Sequence, residues 1–528
     1  MNSRLLLAWS LLSLAVLGLG LAPATESMLP SERRYALPDT DSTAQNIAVV
    51  TGDSLERFVE NGEAVQVIIG RVRGLQDSTT LRANWAKRFV ERGRVLFTGE
   101  VRIVDKGDSL FADTVFYNEA NKIGKATGNM RLSDGEVIAY APSGEYFIDE
   151  KRIRFGAGVR LIDEKATITG EAGTYWTEEK RAEIDSNVRL RNARTYMEAD
   201  SLTYHREEEK ALARGNVFIE RLGLDQDEVD STRRTVLFSQ WAYSEEPAGY
   251  ALVRGRPLLI QLRQDSASVD TLVVEALELE STEQDTLRRV VALGAVRYWQ
   301  SDMAAVADSM VYERIKRPAM PTPILSYDGP NPAKPATRDT AVQAVEQVWL
   351  YRDPMLWVHA AQVSGDTIRA QAQEDHADSL FVWGNAFIAR LDSVLDRVHQ
   401  ARGKMLTASF EDDSTRVFVI TSNAETIYFR KGEDDGPDGA LHVTGDEAIL
   451  RLRGDEAEAL EFGSNQGTFY PESALPDPFE LEGFRWVPEE RPSKGLLLRG
   501  PRVIAWLACG TESRNCQGQQ VPFRQEEQ

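Results

Sequence analysis

The sequence predicts an all-β, elongated, repeat-built array of antiparallel strands, and three observations predict it. Val72, Val101, Met130, Val159, Val188 and Val217 follow one another at a constant step of 29 residues. Within each copy apolar residues alternate with polar ones, the period of a strand and not of a helix. Short polar turns, such as 105–108 and 133–135, separate the alternating runs. A strict repeat of this length means stacked copies of one supersecondary unit, so function belongs to a surface that all copies build together.

The elements follow in chain order. Arg4 precedes an apolar run from Leu5 to Leu21, and Ala22-Pro23-Ala24 supplies the small residues found before a signal-peptidase cut, so 1–24 reads as a signal peptide. The competing reading is an uncleaved membrane anchor, because the run approaches the roughly 18 to 20 residues that span a bilayer. Residues 25–46 read as an N-terminal linker. From 47 to 317 each copy reads as two strands, the first carrying Gly-x-Val or a near relative and another apolar residue two places on. Further columns keep the same step: Leu81, Leu110, Ala139, Ile168 and Met197, and the tyrosines Tyr117, Tyr146, Tyr175 and Tyr204. Beyond Val217 the spacing loosens through inserted polar residues, chiefly Asp225 to Arg234, while Gly294-Ala295-Val296 keeps the motif. Residues 318–338 form a proline-rich linker. Residues 339–475 read as a second, degenerate repeat region marked by Asp353-Pro354, Gly384-Asn385-Ala386 and Ser422-Asn423-Ala424, and 476–528 as a non-repeating tail.

Composition narrows the function. A net charge of -21 argues against nucleic acid as a partner. The five histidines are scattered without metal-ligand spacing, and no nucleophile elbow or phosphate-binding loop is present, so no metal, cofactor or enzymatic activity is expected. The only cysteines, Cys509 and Cys516, fit a small disulfide loop in an oxidising compartment; two separate free thiols are the alternative.

The string 96–103, Leu-Phe-Thr-Gly-Glu-Val-Arg-Ile, followed by Asp108-Ser109-Leu110-Phe111-Ala112-Asp113 and by Ala126-Thr127-Gly128-Asn129-Met130, resembles the OstA/LptA-type repeat of lipopolysaccharide-transport proteins. Ala199-Asp200-Ser201-Leu202-Thr203-Tyr204 and Arg214-Gly215-Asn216-Val217 repeat the signature, and later strings resemble longer OstA-like proteins with an extended second half. The resemblance implies a periplasmic β jelly roll, a β-taco with an open apolar groove, that binds lipopolysaccharide or its lipid A part. It also implies contacts through sheet edges with an inner-membrane ATP-driven extraction complex and an outer-membrane barrel translocon, in the service of outer-membrane assembly.

The candidate groove is the apolar ladder of Val101, Ile103, Met130, Leu132, Val159, Leu161, Val188, Leu190, Val217 and Ile219, one face of the first strands. The bland alternative is a closed core, as in a structural scaffold or adhesin; a β-solenoid glycan-active enzyme with carboxylates on adjacent rungs is a third reading. One residue after each valine stand Arg73, Arg102, Arg131, Arg160 and Arg189, on the opposite face. They read either as cross-strand partners of carboxylates such as Asp113, Glu171 and Asp200 or as a stripe for lipid phosphates. The edge offered to a partner is expected near Val65 to Val72, with the tail from Pro471 covering the other end.

Overall fold

The computed structural model describes residues 49–508, apart from 319–341 and short breaks at 77–78, 106–107, 164–165, 226–227, 265–268, 285, 302, 359, 374–375, 411–414, 433–435 and 454–455. The expected signal peptide and N-terminal linker, nearly all of the proline-rich linker and the cysteine pair lie outside the described residues. The described residues form 32 strands, and every described pairing is antiparallel. The fold is the predicted all-β jelly roll. Two compact units divide the chain: residues up to Val229 with Gln240–Ala248, and Asp230–Ser239 with the residues from Gly249 onward.

What the sequence presents as Gly-x-Val is a corner. In the first unit the pairs Gly70-Arg71, Gly99-Glu100, Gly128-Asn129, Ala157-Gly158, Ser186-Asn187 and Gly215-Asn216 all have positive φ. The second unit repeats this at Gly255-Arg256, Gly294-Ala295, Arg352-Asp353, Gly384-Asn385 and Ser422-Asn423. Two successive left-handed residues make a bulge: Gly99 and Glu100 stand opposite Asp113 alone, between the pairs Thr98↔Thr114 and Val101↔Ala112. Such a bulge bends the strand, so each rung contributes one segment to each of two walls.

The corner is closed by its neighbour. The Asp366 amide donates to both Trp383 O (3.0 Å) and Gly384 O (2.9 Å), and the Glu171 amide likewise to Asp185 O (3.1 Å) and Ser186 O (3.0 Å). The carboxylate above the corner then accepts from its second residue: Asn129 Nδ2 to Asp113 Oδ2, Asn216 Nδ2 to Asp200 Oδ2 and Asn385 Nδ2 to Asp366 Oδ1, each at 3.0 Å. Glycine is required in two respects at Gly128 and Gly384. Their φ values are +76° and +68°, and a Cβ would lie 2.2 Å from Asp113 Oδ2 and 2.0 Å from Asp366 Oδ2. Asparagine suits the second place because its short amide tolerates the left-handed region and supplies the donor.

Two expectations about the ends are corrected. Val65 to Val72 are not an edge: Ser54–Glu60 pairs with that strand from Ser54↔Ile69 to Glu60↔Glu63, and Val49–Thr51 pairs with its far end. The chain before the first valine of the repeat carries alternation of its own, and this is what forms the extra strands. The tail does not simply cover a terminal edge either. After Gln466–Pro471 it crosses the strands as a strap on the outer face of one wall of the second unit. Leu481, Phe484 and Trp486 pack on Phe387, Ala389, Ile427 and Phe429, and Val487 packs near Trp357 and Met355. Two buried glutamines pin the strap backbone: Gln400 Oε1 accepts from the Leu481 amide (2.8 Å), and Gln362 bonds both Val487 N (3.1 Å) and Arg485 O (2.5 Å). Farther on, Lys494 Nζ reaches Thr271 Oγ1 (3.2 Å), and Trp506 meets Phe238 edge to face at 6.2 Å.

Gly384→Ala should destabilise the second unit by about 2 kcal/mol or more, since it adds both left-handed strain and a clash. Asn385→Gly should cost less than about 1 kcal/mol, because only the bond to Asp366 is lost. Urea unfolding of the two variants reads the difference.

Candidate functional site

The ladder predicted from the sequence points to the interior between the walls of the first unit. Val101, Met130, Val159, Leu161, Val188, Leu190, Val217 and Ile219 are buried, whereas Ile103 and Leu132 are only partly so. Facing residues come from the other wall, among them Val115, Ala126, Phe155, Ile184 and Leu202. In the crook of the bend, Met130 Sδ and Val159 Cγ1 lie 2.6 and 3.1 Å from where the Cβ atoms of Gly144 and Gly173 would be. From Val159 onward this interior is therefore packed.

At the far ends of the walls, opposite the corners, a polar clasp joins the two lips of the first unit. Tyr175 Oη donates to Asp134 Oδ2 (3.0 Å), Lys180 Nζ lies 3.4 Å from the same oxygen, and Arg206 pairs with Asp134 (3.7 Å) and Glu136 (2.5 Å). Burial by itself would raise Asp134. The amides of Val137 and Glu136, the Tyr175 hydroxyl and Lys180 outweigh it and hold the carboxyl below its ordinary range. The clasp repeats electrostatically, for Tyr146 faces Asp105 and Asp108 and Tyr204 faces Asp163. Asp105, Asp134 and Asp163 themselves keep the 29-residue step. Sequence reading found the tyrosines of this arrangement and missed the acids, although the same periodicity marks them.

The second unit keeps space between its walls. A cavity of about 80 Å³ is lined by Val358, Ile388 and Ala401 from one wall and by Leu380, Phe418 and Leu450 from the other. Arg390 and Arg416 bring charge to this mainly apolar lining, and His399, Gln400 and Thr426 bring polar groups. His399 stacks on Tyr428 at 4.5 Å and accepts the Phe429 amide at Nδ1 (3.2 Å), so its neutral form carries the proton on Nε2. Burial pulls its pKa down to about 4, against the opposing charge of Asp392 3.6 Å away. None of these residues was singled out as a site from the sequence, because the degenerate motif hides the register of the second unit.

The arginine column lies on the outer face as alternation requires, with Arg73, Arg102, Arg131 and Arg160 exposed and Arg189 partly so. Its expected carboxylate partners are corrected, since Asp113, Glu171 and Asp200 are taken by the corner residues Asn129, Asn187 and Asn216. Arg102 and Arg131 instead lie over the Phe111 ring, at 5.0 and 5.8 Å, and Arg189 pairs with Glu198 at 3.8 Å. The register explains it: Phe111 sits between Arg102 and Arg131, and Tyr140 between Arg131 and Arg160.

The profile of the OstA-like protein family matches residues 44–211. The first unit carries an OstA-like region. No curated protein matches the chain. Among solved structures, the chain is similar to LptH, described as the LptA homologous periplasmic component of the conserved lipopolysaccharide transport device from Pseudomonas aeruginosa. The identity is 16%, over 27% of this chain and 83% of that one, with a TM-score of 0.18. The OstA-like region ends at residue 211, within the strand Lys210–Asp225, so the corners of the second unit extend the architecture beyond the match. Among the described residues no helix is long and apolar enough to cross a membrane.

Two consequences are testable. The folded pKa of His399 lies below its ordinary 6.5, so in the window from pH 6.5 down to about 4 the unfolded chain binds the proton and the folded chain does not. Stability is then full above pH 6.5 and falls as pH drops through that window, by up to roughly 3 kcal/mol. Melting curves of the native chain and His399→Gln should diverge at pH 7 and approach one another at pH 4.5. Asp134→Ala should cost about 2–4 kcal/mol in urea unfolding, because Tyr175, Lys180 and two turn amides lose their common acceptor.

Proposed function

We propose that this protein is a periplasmic lipopolysaccharide-binding and transport protein that shields acyl chains between the two walls of its β jelly roll during outer-membrane assembly. The observation that carries the reading is the cavity of the second unit, walled on both sides by aliphatic and aromatic side chains. Such a lining attracts an acyl chain in proportion to area, at roughly 25 cal/mol per Å², without fixing it at one position, which is what a sliding lipid requires. In the first unit the half-buried Ile103 and Leu132 offer apolar surface of the same kind. The OstA-like match supports the class of cargo.

The partners of this reading are an inner-membrane ATP-driven extraction complex and an outer-membrane barrel translocon, met through sheet edges. The strand Ser54–Glu60 supports it, with Leu55 68% and Val59 71% exposed. Among the described residues this strand pairs on one side alone, and an apolar side-chain row beside such an edge is a template for strand addition. A second reading, a structural scaffold, is favoured by the packed ladder from Val159 to Ile219.

Photo-crosslinking separates the two. A crosslinking residue at Ile388 or Ile103 should capture lipid A in the full chain, whereas one at Arg160 should capture little. Equal labelling at all three positions, or none at any, would remove the lipid reading and leave the scaffold.

A further inference from the structure

The outer face of the other wall of the second unit carries a row of aromatic rings that neither the strap nor the interior uses. Trp349 and Tyr351 stand on the strand Val342–Tyr351, and Phe381 and Trp383 on His376–Asp392, with Thr367–Gln373 between them. The register places Arg369 between Trp349 and Phe381, and Thr367 between Tyr351 and Trp383. The rings lie nearly parallel: Trp349 and Tyr351 at 6.0 Å and 0°, Trp349 and Trp383 at 5.8 Å and 13°, Phe381 and Trp383 at 5.7 Å and 11°. All four are only partly buried. Side chains on the solvent face of an antiparallel sheet are ordinarily polar, so a platform of this kind calls for an explanation.

Arg369 supplies one. Its guanidinium lies 4.2 Å from the Phe381 ring centroid, 5.2 Å from Trp349 and 5.4 Å from Trp383. Its Nε is buried without a hydrogen-bond partner, and among the described residues no carboxylate stands within ion-pair distance. A desolvated cation with an unused donor is costly unless an anion completes it. The surrounding rings hold the fork in place while leaving its donors free.

We propose that this platform binds an acidic carbohydrate. The ring faces, negative at their centres, stack on the electropositive C–H faces of successive sugar units, and the Arg369 fork pairs with a carboxylate or phosphate on one of them. A stable protein partner is disfavoured on area. Four rings, each offering at most about half of its 150–250 Å², fall short of the roughly 800 Å² that one side of a standard interface buries. An acyl chain is disfavoured by the charge at the centre of the platform.

Tryptophan fluorescence titration of the full chain tests this, with trigalacturonate, a phosphorylated maltotriose, neutral maltotriose and a tetraglutamate peptide as probes. One or both acidic sugars should bind at least tenfold more tightly than maltotriose and than the peptide, and which of them binds assigns the anion. Trp383→Ala should lose tenfold or more for every sugar. Arg369→Gln should abolish the preference for acid while keeping residual sugar binding. Tyr351→Ala, at the end of the row, gives a smaller loss and serves if Trp383→Ala does not fold. Binding of no sugar, equal binding of acidic and neutral sugars by the native chain, or equal binding of the peptide would overturn the proposal.

Discussion

The structure depends on one constraint: alternate strands turn at a pair of left-handed residues, and each turn is completed by the strand beside it. A corner alone is unfavourable, because left-handed backbone costs roughly 1–2 kcal/mol for each residue other than glycine. Stacking compensates, since the neighbouring strand supplies an amide for the carbonyls of the residue before the corner and of its first residue, and a carboxylate for the second residue's side chain, as Asp366 does for Trp383, Gly384 and Asn385. The bend also sends the residue after the corner inward and the next one outward. The apolar ladder and the arginine column are two results of that geometry, and so are the two walls with an interior between them.

Much of this was legible in the sequence where the corner uses glycine and the hairpins keep one length. The 29-residue step located six corners, and the alternation after each valine gave the correct inward and outward faces. In the second unit the corners include Arg352-Asp353 and Ser422-Asn423 as well as glycine-led pairs such as Gly384-Asn385, so the motif survives as a conformation while its letters change. Hairpins of unequal length erase the step there, and with it the register that would have pointed to Ile388, His399 and Phe418. The partners of the arginines were illegible for a different reason. Asp113 and Asp200 are near in sequence pattern, but the corner asparagines claim them first. Tyr175 and Asp134 are 41 residues apart, meeting only because the bend folds one wall over the other. The strap gave no periodic signal at all, since it crosses the strands instead of joining their ladder.

The two units use the same corner for different interiors. In the first, Met130 and Val159 fill the crook and Asp134 ties the lips, so stability comes from contact between the walls. In the second, the strap packs on the outside of one wall through Leu481, Phe484 and Trp486, and buries apolar surface there. That outer support lets the walls hold their form around unfilled space near Ile388 and Leu450. A retained apolar cavity ordinarily destabilises a fold through lost packing, and a site that must admit an acyl chain has that same property.

Native mass spectrometry of the full chain incubated with lipid A in detergent-free buffer measures the central claim most directly. The account predicts a one-lipid adduct that disappears when Ala401→Phe fills the cavity and persists when the outward Arg160 is changed to Gln. Absence of any adduct, or an adduct indifferent to filling the cavity in a variant that retains the native circular dichroism, would contradict it.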